Sequence, residues 1–136
     1  MKIALYKGKK TITDKLISWW DRGEYSHVEL VFSDGLCASA SPRDGGVRLK
    51  QIDLSPDKWD TFEIHAFDEA SARAWFESRA GSKYDFLGVF GFVFRAQQDK
   101  TKWFCSESVL AALGFKDTWR FTPNSVATLF TGGTYK

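Results

Sequence analysis

"YSHVELVFSDGLCASAS", residues 25–41, decides the fold. From Ser26 to Phe32 the apolar positions alternate. Val28, Leu30 and Phe32 fall on one face and His27, Glu29 and Val31 on the other, and a period of two is the mark of a strand. Ser33-Asp34-Gly35 is a turn, and "LCASAS" (36–41) returns as a second strand, so the stretch predicts an antiparallel hairpin. Further strands are predicted on either side: "KIALY" (2–6), and "VRLKQI" (47–52) after the loop "SPRDGG" (41–46). A turn at "SPDK" (55–58) leads to "WDTFEIHAF" (59–67), where Trp59, Thr61, Glu63 and His65 share one face.

Helices are predicted around this sheet. "TDKLISWWD" (13–21) has Thr13 or Asp14 as a cap, and "DEASARAWFESRA" (68–80) has Asp68 as a cap with Gly81 beyond its end. Pro123 starts a last short helix. "YDFLGVFGFVF" (84–94) is the most apolar run, but a bilayer span needs about 20 such residues, and a buried helix is the expectation. The polar loop "RAQQDKTK" (95–102) then delivers the chain to "KWFCSESVL" (102–110). Ser106, Glu107 and Ser108 are helix-start residues, Val109, Leu110 and Leu113 recur at helical spacing, and Gly114 is the stop. Cys105 is thereby expected in the first turn of a helix. There, free backbone N–H groups and the positive end of the dipole favour a thiolate. The expected class is α+β, an antiparallel sheet or partial barrel packed by helices, in one domain over residues 1–136.

With 136 residues, 43% of them hydrophobic and 16% aromatic, the chain has the material for a real core. Nineteen basic and 17 acidic residues are scattered along it, which argues against nucleic acid as a partner. No run of signal-peptide length opens the sequence, so the expectation is a cytoplasmic protein without a transmembrane segment. In that compartment Cys37 and Cys105 are expected as free thiols. With only His27 and His65 beside them, and no short ligand spacing, neither metal nor cofactor is expected. Oligomeric state is not legible in the sequence.

A thiol at a helix start becomes a nucleophile when a base stands beside it. His27 is the candidate base. Glu29, two residues along the strand, shares its face and can orient an imidazole and stabilise its charged form. Nothing near His65 gives that residue a task.

"SHVELVF" with its hairpin and "GGV" turn, followed far downstream by "KYDFLG" and "WFCSESV", resembles the permuted branch of the NlpC-like papain-fold hydrolases, the YiiX/YebB-like group. Histidine precedes cysteine in both. The likeness runs from about residue 2 to about residue 115. It implies a circularly permuted papain-like fold of bacterial or prophage origin, with Cys105 as nucleophile and His27 as base. Relatives often carry a glutamate in a "viEA"-like stretch on the strand after the histidine, and here that stretch is "LCASAS". The orienting role is therefore open among Glu29, Ser39 and Ser41, since a one-residue slip of hairpin register reverses which serines face His27. The resemblance also implies that the "YDF" tyrosine, Tyr84, approaches the site, and Tyr25 and Ser41 complete the candidate substrate contacts.

The expected activity is that of a cysteine amidase or peptidase, cleaving a small peptide of murein type or another acyl substrate through an acyl-enzyme. Two alternatives stand beside it. One is a catalytically silent papain-like binding module, suggested by the missing acid and by Trp19, Trp20 and Trp103. The other is a lipid acyl hydrolase or acyltransferase, with the run 84–94 lining an acyl groove.

Overall fold

The computed structural model describes residues 1–8, 23–84 and 103–132. Five strands, β1 (Lys2–Tyr6), β2 (His27–Val31), β3 (Cys37–Ser41), β4 (Gly46–Lys50) and β5 (Trp59–Glu63), form one antiparallel sheet in the order β4-β3-β2-β1-β5. Among the described residues three α-helices follow: α1 (Glu69–Arg79), α2 (Cys105–Ala112) and α3 (Pro123–Thr131), with a short 3₁₀ turn at Thr118–Arg120. The class is α+β, and among the described residues no helix is long and apolar enough to cross a membrane.

The alternation of the first hairpin sorts side chains as period two requires. Ile3, Leu5, Val28, Leu30, Ala38, Ala40 and Val47 enter the main core beneath the helices, whereas Ala4, Tyr6, Val31, Cys37 and Trp59 form a smaller cluster on the other face. Gly35 closes the β2–β3 turn with a φ of 85°, a conformation that glycine adopts without steric cost. Gly46 answers to a different constraint. A Cβ built there would stand 1.8 Å from the Ser82 carbonyl oxygen, because residues 81–84 run against the outer edge of β4 and bond to it at Val47 and Gly45.

Asp68 caps α1 by accepting from the Ala70 N–H at 3.2 Å, and Ala72 and Phe76, one turn apart, are its buried side chains. Truncating a buried phenylalanine such as Phe76 to alanine costs about 3–5 kcal/mol. Helix α2 starts at Cys105 and packs on β3 and β2, so that every residue from Cys105 to Leu110 is buried. Gly114 turns the chain away with a φ of 88°. Pro123 occupies the first turn of α3, where its missing N–H costs nothing, and Thr122 caps that helix by accepting from the Ser125 N–H at 3.1 Å.

Two strand expectations are corrected. The strand expected over 59–67 stops at Glu63, which pairs with Lys2 at the start of β1; one further bond runs from Ile64 N–H to the Met1 carbonyl before Ala66 turns away with a φ of 67°. His65 is consequently exposed and lies off the sheet. The strand expected over 47–52 covers Gly46–Lys50 instead. The helix expected over 13–21 lies outside the described residues, as does the run 84–94 beyond Tyr84.

Candidate active site

The first rung of the central strands brings three rings together. Tyr6 pairs with His27 on one side and Trp59 on the other, with Tyr6 and Trp59 centroids 4.9 Å apart and the His27 and Trp59 rings edge-to-face at 6.3 Å. Being the first residue of β2, His27 sits at the end of the sheet, where a side chain from one face can meet a helix start on the other. Its Nε2 lies 2.6 Å from Glu29 Oε1, and the Cys105 sulfur is near enough to act on its charge. Burial by itself would lower the His27 pKa, but the Cys105 sulfur and the Glu29 carboxylate together push it from 6.5 up to about 10.

Glu29 is fully buried. It tolerates that position because Arg48 grips it with both terminal nitrogens, Nη1 donating to Oε2 at 2.7 Å and Nη2 to Oε1. Strand β3 lies between the two residues, so they meet across two strand spacings, roughly 10 Å. The long guanidinium stem covers that span, and the intervening Ser39 is small enough to let it pass. Burial would raise the Glu29 pKa, but the hydrogen bonds and charges of Arg48 and His27 outweigh it and hold the carboxyl below its usual range. The network continues outward. Arg48 Nε donates to Asp44 Oδ2 at 2.8 Å, and Lys50 Nζ donates to Asp44 Oδ1 at 2.9 Å.

Helix α2 is pinned to the sheet beside the thiol. Ser108 Oγ accepts from the Ala40 N–H at 3.0 Å and donates to the Cys105 carbonyl at 2.9 Å, while Ser106 donates to the Phe121 carbonyl. The strand carrying His27 is fixed from the far end of the chain. Asn124 Oδ1 accepts from the Tyr25 N–H and its Nδ2 donates to the Tyr25 carbonyl, both at 2.9 Å.

His27 and Glu29 are thus bonded to each other, with the Cys105 sulfur near enough to shift the imidazole. Ser39 is not part of it, since its hydroxyl donates to the Val28 carbonyl at 2.7 Å. Ser41 lines a cavity of about 130 Å³ together with His27, Glu29 and Arg48. Tyr25 and Tyr84 do not reach that cavity. The Tyr25 hydroxyl is held 2.6 Å from Asp60 Oδ2, and Tyr84 is buried in the main core. Cys37 is a free thiol in the smaller cluster with Tyr6 and Trp59, on the sheet face that carries Glu29, and its burial pushes its pKa up to about 11. Among the described residues no group of histidine, cysteine and acidic side chains is arranged to hold a metal ion. Trp103 packs edge-to-face on Trp75 at 4.9 Å, whereas Trp19 and Trp20 lie outside the described residues.

Arg48, Ser108 and Asn124 were not singled out by the sequence. For Arg48 a signal existed: in "GVRLK" it alternates with Val47 and Leu49, which sets it on the polar face of the strand paired with "CASAS". Ser108 and Asn124 bond to backbone groups distant in sequence, and no local pattern marks such partners. In comparison with known proteins, no family model and no curated protein matches this chain.

Proposed function

We propose that the protein is a cysteine hydrolase of permuted papain-like fold that cleaves an amide through a Cys105 acyl-enzyme. The single observation that carries this reading is the position of His27, held by Glu29 at one nitrogen and close enough to the Cys105 sulfur for the sulfur to raise its pKa. An antiparallel sheet bearing the histidine, with the thiol at the start of a helix packed on it, is also the arrangement that the papain-like resemblance calls for.

In the proposed reaction His27 holds the proton as imidazolium, and the Cys105 thiolate beside it attacks the acyl carbon, forming a C–S bond. The Cys105 backbone N–H, at the α2 start, is the donor available to the oxyanion. As the C–N bond breaks, the imidazolium returns its proton to the leaving nitrogen. A water then attacks the thioester, yielding its proton to His27, and the C–S bond breaks to release the acid. Glu29 holds the ring in place and balances its charge through both half-reactions. Because Cys105 is only 1% exposed, acylation proceeds through local opening at the start of α2.

That same burial favours a second reading, a silent papain-like binding module in which the thiol is core. Labelling by a thiol-directed acyl probe at neutral pH separates the two. For a hydrolase, Cys105→Ala abolishes labelling, His27→Ala reduces it by about two orders of magnitude or more, and Cys37→Ala leaves it unchanged. Labelling that follows Cys37, or that ignores His27, supports the module.

A further inference from the structure

The His27–Glu29 bond is aimed from outside the pair. Glu29, held below the usual carboxylate range, is ionised at neutral pH and can only accept, so Nε2 is the donor in the 2.6 Å bond to Oε1. Packing alone leaves that aim loose, because His27 and Glu29 both line the cavity of about 130 Å³, which gives a carboxylate room to turn. Arg48 removes the freedom. Its Nη1 donates to Oε2 at 2.7 Å and its Nη2 to Oε1, and a fork on both oxygens fixes the plane of the carboxylate as well as its charge. The second lone pair of Oε1 is then set in direction, and His27 takes it. The guanidinium is held in turn, because its Nε donates to Asp44 Oδ2 at 2.8 Å and Asp44 Oδ1 accepts from Lys50 at 2.9 Å. Arg48 stands opposite Ser39 in the β3–β4 ladder and so acts on β2 across the strand between them.

We propose that Arg48 is a positioning residue: by holding both oxygens of Glu29 it aims the carboxylate at His27 Nε2 and so fixes the imidazole that serves as base. The role of the ring as base rests on the cysteine-hydrolase reading, whereas the aiming of the ring does not. Charge alone does not meet the requirement. Arg48→Lys keeps a cation beside Glu29 but offers a single nitrogen with no fixed plane, while the guanidinium is a planar fork that matches two oxygens. Loss of aim is thereby separated from loss of the charge partner.

Two measurements on Arg48→Lys, Glu29→Gln and the double variant provide the test. The first is the low-field proton resonance of the His27 Nε2–H, expected in the native protein because the bond is short and charge-assisted. In Arg48→Lys it is expected to be lost to faster exchange with water, while circular dichroism shows the fold intact. Arg73→Lys, which alters an ion pair with Asp34 at the opposite end of β2, is expected to leave it unchanged. The second is the maximal rate of Cys105 labelling by the acyl probe. Arg48→Lys and Glu29→Gln are each expected to slow it by about tenfold or more. The double variant is expected to lie within about twofold of Glu29→Gln, since both substitutions act through one bond. If Arg48→Lys does not fold, Asp44→Ala takes its place, because Asp44 is partly exposed and its removal frees Nε without stranding a buried charge. About threefold faster exchange of the His27 proton is then expected. A native protein without the resonance, or a resonance unchanged in the folded variant, overturns the proposal, as do rate losses that multiply in the double variant. Labelling that does not depend on Cys105 removes the hydrolase reading alone, since the ring signal needs no turnover.

Discussion

His27 and Arg48 share one oxygen atom, Oε1 of Glu29, so an imidazole and a guanidinium on strands separated by β3 are tied to the same buried carboxylate. Glu29 is consequently both the partner that holds the His27 ring and the centre of an ion network. The predictions below separate those two roles.

Removing Arg48 strands a buried charge. Arg48→Met is expected to destabilise the protein by about 3–5 kcal/mol, because the carboxylate loses its bidentate partner without regaining water. Pairing it with Glu29→Gln is expected to recover a large part of that loss, since no unpaired charge then remains. Urea unfolding of the two single variants and the double variant measures the coupling.

Glu29 also sets the acid limit of the fold. Its folded pKa lies below the ordinary value of 4.5, so its contribution to stability is complete above 4.5 and is lost as pH falls through the depressed folded value. Unfolding free energy is expected to decline on acidification below that point in the native protein, and the decline is expected to be shallower in Glu29→Gln. Urea titrations at a series of acidic pH values provide the comparison.

The charge of His27 depends on its two partners. Its ring is expected to titrate near pH 10 instead of 6.5, and Cys105→Ala is expected to bring the midpoint down, because among the groups that raise it the sulfur contributes most. Glu29→Gln lowers it as well. Ring-nitrogen NMR across that pH range reads the midpoints directly, and a wild-type midpoint near 6.5 would contradict the contact.

Ser108→Ala leaves the buried Ala40 N–H without its acceptor, a loss of about 1–3 kcal/mol. The Ala40 amide is expected to exchange faster with deuterium than in the native protein, and the start of α2, no longer bonded through Ser108 to the sheet, is expected to open more readily around Cys105.

The sheet was legible because its strands bury one face at a time. Alternation in "SHVELVF" placed His27 and Glu29 together, and the same rule sorted Trp59 from Phe62 on β5. The cap at Asp68 and the stop at Gly114 were legible because both act within a few residues. The choice among Glu29, Ser39 and Ser41 was not, since it depended on a hairpin register that the local pattern leaves open. His65 was misplaced for a related reason. Alternation continues through "EIHAF", but the strand ends where the sheet runs out of partner, at the first residue of β1.

The bracket of Asn124 on Tyr25 joins residues 99 positions apart. During synthesis, β1, β2 and the helix bearing Cys105 all emerge before that asparagine does. The strand that presents the imidazole thus receives this clamp only after the helix bearing the thiol has been made. Until Asn124 is in place, the segment leading into β2 lacks that bracket, although the thiol and the imidazole have both been made.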